Sequence, residues 1–267
     1  MPDIVVGKDA YMRVDNETTF AKARNMGTAE TLNTTAVRSN AAVKASANGD
    51  GDAYDCYRSF FAFDTSGVTV KPNSATLKLY GYQYTTADVI IIKVDAGATG
   101  DSDSDFVAGD YSKTGTFDAS TAYSAEIATW STTGYNEITL NATALADMKS
   151  LSEFKIALIE HDYDYLKAVP ANSLTRRSGV YYVEETDTAK RPVIDYDAGP
   201  PEYDANIPAS ASFGDDHVIN TYDTNVLSSQ YERTGSAQVP FILGTPGPIS
   251  LRGRSTAPII DIGKKKT

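Results

Sequence analysis

The sequence predicts an all-β fold, a sandwich or a barrel, followed by an irregular extended segment. Three observations carry this. Short runs with period-two alternation recur through residues 1–198, separated by turn residues. Tyr (17) and Phe (9) are abundant, and Thr and Val are frequent, which suits pleated, half-buried surfaces. Beyond Val239 the chain becomes Pro- and Gly-rich: Pro240, Pro246, Pro248 and Pro258 alternate with Gly244, Gly247, Gly253 and Gly263, which forbids a central strand or a helix.

Taken in order, residues 11–14 form the first candidate strand and residues 59–64 the next. Residues 75–82 alternate cleanly and put Leu77 and Leu79 on one face. Residues 90–94 read as a buried strand, because the apolar run is unbroken. Residues 135–140, 154–160, 180–183 and 192–196 complete the set. One helical turn stands out at residues 141–148, with Asn141 placed to cap it. Residues 45–55 and 100–104 are small and polar, and read as exposed, mobile connections. The Gly199-Pro200-Pro201 break separates a sandwich, 1–198, from a C-terminal extension, 199–267.

The net charge of −11 comes from 24 Lys+Arg against 35 Asp+Glu. It is unevenly spread. Residues 251–267 carry five basic groups and one acid, which leaves −15 on residues 1–250. The acidic body argues against nucleic acid, whose phosphates repel it; the basic end would face an acidic neighbour. The longest apolar run, Val89 to Ile92, is strand length and far short of a membrane span. The opening residues lack a basic stretch followed by an apolar one, so the expectation is either a signal already removed from this sequence or a chain used without Sec export. Cys56 is the single cysteine, and Asp55 beside it would raise its pKa, so it reads as filler rather than nucleophile.

The motifs resemble a known module. Asn25-Met26-Gly27 with Leu32, the strand Tyr57-Arg58-Ser59-Phe60-Phe61-Ala62-Phe63-Asp64, the strand Ser74-Ala75-Thr76-Leu77-Lys78-Leu79-Tyr80, and Arg191-Pro192 before the closing strand occur in that order. In this the chain resembles the DNRLRE or disaggregatase-type domain, a carbohydrate-binding-module-like jelly roll of cell-surface and tailed-phage structural proteins. That family's Trp-x-Glu segment is not kept, since Ser131 and Thr132 follow Trp130. The resemblance implies a jelly-roll β-sandwich. Arg58 is expected to pair with Asp64 or another acid, or to contact a glycan. Tyr163 and Tyr165 are the other expected glycan contacts. Tyr80, Tyr82 and Tyr84 alternate on one face, and such a row in a sandwich reads as core.

Catalytic patterns are weaker. Glu160, His161, Asp162 and Asp164 form the densest polar cluster, with His161 as a candidate acid/base, yet a strand end running into a polar loop gives the same pattern. No enzyme is expected. Oxygen ligands at alternating positions suit a structural calcium, and Asp101, Asp103, Asp105 and Asn48, Asp50, Asp52 alternate in that way. No other cofactor is expected.

The extension holds two apolar runs, Val239 with Phe241, Ile242 and Leu243, and Ile259 with Ile260 and Ile262, beside Arg252 and Arg254. Left free, these runs invite aggregation; docked on a neighbour, they form an assembly interface. The expected function is therefore a non-enzymatic structural protein of a tailed-phage virion, a capsid decoration, cement or fibre component. Its partners would be other virion proteins, further copies of itself as a homo-oligomer, and a host-surface glycan. The alternative is a carbohydrate-binding adhesin module of a cell-surface or secreted protein.

Overall fold

The computed structural model describes residues 2–48, 51–94, 106–114 and 121–198. The chain divides into two units, Met1–Pro201 and Glu202–Thr267, and every described residue lies in the first. The expected interface residues Val239, Phe241, Ile242, Leu243, Arg252, Arg254, Ile259, Ile260 and Ile262 lie outside the described residues, as do Asp50, Asp101, Asp103 and Asp105.

The expected all-β sandwich is the fold observed. Among the described residues it has ten strands, β1 Asp3–Glu17, β2 Thr31–Asn33, β3 Arg38–Asn48, β4 Gly51–Asp64, β5 Ser74–Thr85, β6 Val89–Lys93, β7 Tyr135–Thr139, β8 Glu153–Glu160, β9 Thr175–Tyr181 and β10 Val193–Asp197. The strand ladders are antiparallel. Strand β1 lies beside β10, the last strand among the described residues, with Ile4 opposite Ile194. Two long strands pass between layers. β1 pairs with β10 at Asp3 to Val5, then with β4 from Val6 onward, with a bulge at Gly7 between the first two pairs. β5 pairs with β10 and β7 up to Tyr80, then with β9 from Gly81, across a bulge at Tyr82. Among the described residues no helix is long and apolar enough to cross a membrane.

Two apolar cores result. The first lies between the sheets and holds Leu77, Leu79, Phe61, Phe63, Ile91, Ile156, Leu158 and Val180. The second lies on the other face of the larger sheet and holds Met12, Cys56, Phe60, Ile90, Ile92, Ala157 and Ile159. Helix α1, Phe20–Asn25, and a 3₁₀ turn at Ala108–Thr114 close this second face with Phe20, Ala23 and Tyr111. Burial on both faces explains the unbroken apolar runs of β6 and β8, because neither side needs polar residues. Each fully buried Ile or Phe contributes about 1.5–3 kcal/mol.

The expected helical turn is α2, Ala142–Ser150. Asn141 caps it, its side-chain oxygen accepting from the amides of Thr143 and Ala144. Residues 45–48 and 51–55 differ from the expected loop: they are strand, and the β3–β4 ladder pairs Asn48 with Gly51. Asn48 ends β3 and Asp52 is the second residue of β4.

Candidate functional site

β4 alternates so that Arg58 faces the second core, between Cys56 and Phe60. The guanidinium is 1% exposed and Asp164, its partner, 0%. Its Nε and Nη2 donate to the two carboxylate oxygens of Asp164 at 2.8 and 2.7 Å. The remaining donors reach the carbonyls of Tyr111 at 2.7 Å and Arg24 at 2.9 Å. The cation also lies 4.1 Å from the centroid of the Tyr111 ring. Burial alone would favour loss of the proton, but the charge and hydrogen bond of Asp164, together with Tyr111 and Cys56, hold Arg58 above its ordinary pKa. Arg58 thus ties α1, the 3₁₀ turn and the segment after β8 to one point. The expected pairing with Asp64 is not made: Asp64 accepts from the Ser66 amide and hydroxyl at the end of β4. Nor can Arg58 meet a glycan, because the protein encloses it. Cys56 lies in the same core, where burial first and Asp164 second push its thiol up, so it is inert filler.

The chain after β8 makes a π-helical turn, His161–Tyr165, capped by Glu160. One Glu160 oxygen accepts from the amide of Tyr163 at 2.6 Å, and the other is buried without a hydrogen-bond partner. Burial pushes this carboxyl up to about 7. His161 Nδ1 lies 3.2 Å from Asp162 and 3.7 Å from Glu126. The donor atoms of these three side chains lie within 4.8 Å of one another, a spacing that fits a divalent cation. Arg176 occupies the other oxygen of Asp162 at 3.4 Å and donates to the Thr86 carbonyl at 2.6 Å. Arg176 pairs in this way with Asp162 and, at 3.8 Å, with Asp88, which holds the turn against the chain before β6. The expected glycan contacts Tyr163 and Tyr165 belong to this turn. Both are half-buried against the second core; Tyr165 stacks on His161, and Arg176 lies over Tyr163.

A different surface gathers exposed aromatic groups. Tyr80 and Tyr82 of β5 are half-buried and Tyr84 is exposed. Tyr80 and Tyr82 lie opposite Leu77 and Leu79, which take the inward phase, while Tyr84, beyond the bulge, pairs with Ser178 at the exposed end of the strand, so the expectation that the tyrosine row is core is overturned. Tyr80 meets Tyr135 of β7 edge-on at 5.4 Å and Tyr181 of β9 at 5.9 Å. Tyr82 meets Tyr181 at 5.5 Å. Their hydroxyls are tied down: Tyr80 donates to the Thr133 carbonyl, Tyr135 to the Arg191 carbonyl and Tyr82 to Asn40 Oδ1. Arg38 of β3 lies 4.7 Å from the Tyr82 centroid, and Lys190 lies 5.4 Å from that of Tyr181.

Two glycines shape this face. A Cβ on Gly179 would stand 2.6 Å from the Tyr82 ring, so the ring lies across bare backbone. On the inner side, a Cβ on Gly81 would collide with the Ser131 carbonyl and stand 2.7 Å from Trp130 Nε1. That indole donates to the Gly179 carbonyl at 3.0 Å, which fixes the strand beneath the tyrosines. Arg38, Tyr135, Tyr181 and Gly179 belong to none of the sequence motifs that suggested a site. The phase of Leu77 and Leu79 was the available signal, since it sends the neighbouring tyrosines outward. Comparison of the chain with family models and with curated proteins gives no match.

Proposed function

We propose that this chain is a non-enzymatic structural protein of a tailed-phage particle, a decoration or fibre-type component whose sandwich displays a saccharide-binding face. The observation that carries this reading is the outward row of tyrosines on a rigid sheet. Sugar rings stack on such faces, and tethered phenols lose little freedom when they do so. The buried ionisable groups Arg58, Asp164 and Glu160 serve the fold, each bonded to backbone or to one another. The charge asymmetry and apolar runs of residues 239–267 support docking of the extension on neighbouring subunits.

Sedimentation tests the assembly half. The full chain is expected to form oligomers, and a chain truncated after Gly235 to remain a soluble monomer; equal assembly by both would overturn it. The tyrosine face equally favours the second reading, a carbohydrate-binding adhesin module. Glycan-array binding by a full chain that stays monomeric would select that reading.

A further inference from the structure

We infer that Glu126, His161 and Asp162 bind one zinc ion, through Glu126 Oε1, His161 Nδ1 and Asp162 Oδ1. This site goes beyond the saccharide-binding reading and does not depend on it. Its residues come from two parts of the chain that meet at the start of β6. The Ile127 amide donates to the Val89 carbonyl at 2.8 Å, and the Val89 amide returns to that of Ile127 at 3.1 Å, which sets Glu126 beside β6. The His161 amide donates to the Asp88 carbonyl at 2.8 Å, which sets the π turn at the same place. Tyr165 stacks on the imidazole and fixes its plane. A metal here is a clasp between the turn and the chain that covers the β6 edge.

Distances and ligand atoms choose the metal. From Nδ1, the Asp162 and Glu126 oxygens stand at 3.2 and 3.7 Å. Zinc bonds of about 2.0–2.1 Å in a tetrahedron put neighbouring ligand atoms about 3.3–3.4 Å apart, so these three close on one ion with small side-chain adjustments. An octahedral magnesium ion needs edges of about 2.9 Å, and calcium takes a full shell of oxygens rather than a nitrogen. Imidazole beside carboxylate suits zinc. Glu126 is exposed and the other two are partly buried, so the ion has an entry path and its fourth position is left for water. Arg176 supplies the outer contact: it takes Asp162 Oδ2 at 3.4 Å, leaves Oδ1 for the ion, and is itself held by the Thr86 carbonyl. The local charge also calls for a cation. Among the described residues, the carboxylates of Glu126, Asp162 and Asp88 have that one guanidinium among them, so with His161 neutral two negative charges remain. Glu160, the fully buried residue before His161, adds a carboxyl oxygen without a hydrogen-bond partner.

Calorimetry on the full chain, stripped of metal with EDTA, tests this with zinc chloride as the probe. One ion per chain is expected, bound about a hundredfold or more tighter than Ca²⁺ or Mg²⁺, and saturating zinc is expected to raise the melting temperature. Glu126→Gln is expected to weaken zinc binding by more than about tenfold, the least that loss of even an outer contact costs. Its metal-free melting temperature is expected to match that of the parent chain, because Glu126 is exposed. His161→Ala is expected to abolish binding, and the same change at His217, the only other histidine, to leave it intact. Cobalt in place of zinc is expected to give the intense visible bands of a tetrahedral centre. Zinc binding that survives undiminished in Glu126→Gln or His161→Ala overturns the inference. So does calcium bound as tightly as zinc, or no zinc bound at all.

Discussion

Two arginines lie against tyrosine rings in this protein, and they do opposite work. Arg58 is 4.1 Å from the Tyr111 centroid and Arg38 is 4.7 Å from that of Tyr82, so the local geometry is nearly the same. Their surroundings are not. Arg58 is buried, and Asp164 with two carbonyls takes up its donors. Arg38 stands on the surface with no acid of its own chain among the described residues. A buried cation must be satisfied internally because no water can replace a missing partner. An exposed one without an acid partner is available to a ligand. The second core shows why Arg58 is needed. The inner core is closed by a second sheet, whereas the outer one is closed by a six-residue helix and short turns that are too small to hold themselves.

The largest expected effect breaks the buried pin. Arg58→Ala leaves Asp164 charged and unpaired, and is expected to cost about 3–5 kcal/mol, read by urea unfolding. A loss under about 1 kcal/mol would mean that packing alone holds the outer core. The double change Arg58→Met with Asp164→Leu is expected to recover most of that loss. Gly81→Ala comes next, at about 1–3 kcal/mol, because the added Cβ must displace the Ser131 carbonyl and, with it, the neighbouring Trp130. Trp130 is the single tryptophan, so its fluorescence reports the shift directly.

The third test sharpens the comparison by taking buried acids that lack a cation. Asp9 is buried and accepts from the Val183 amide, and Glu160 caps the π turn. Burial is the main cause that raises both, Asp9 to about 8 with Glu184 beside it and Glu160 to about 7. A raised carboxyl stabilises the fold fully below its unfolded pKa of about 4, and that stabilisation is lost as pH rises through the folded value. The melting temperature is therefore expected to fall between pH 4 and pH 8 by several degrees, at about 2–4 °C per kcal/mol. Asp9→Asn is expected to flatten that slope and to raise stability at pH 8. A melting temperature that rises over the same range would contradict the assignment. The smallest effect belongs to the face. Arg38→Ala is expected to change stability by less than about 0.5 kcal/mol, since nothing buried loses a partner.

Much of the fold was legible in the sequence, and the reasons differ by element. Strands β5, β6 and β8 carried their period or their apolar run in plain view, and Asn141 announced α2. β3 did not, because Arg38 to Asn48 holds mostly Ala, Ser, Asn and Lys around a single Val43. It is a strand because β4 and β9 flank it with free ladder positions, which is tertiary information. The site was legible only in part. Arg58 was visible as special, but which side of β4 would be buried depended on α1 and the chain around Tyr111, far away in sequence. The tyrosine face was written in the phase of β5, yet its other half comes from Tyr135, Tyr181 and Arg38, which no local pattern joins.

The most direct measurement is covalent footprinting of the full chain by mass spectrometry, with and without the tightest-binding saccharide of the glycan array. The account predicts protection at Tyr80, Tyr82, Tyr181 and Arg38, and unchanged labelling of Tyr163 and Tyr165. Protection confined to the His161–Tyr165 turn, with the β5 and β9 tyrosines unchanged, would contradict it.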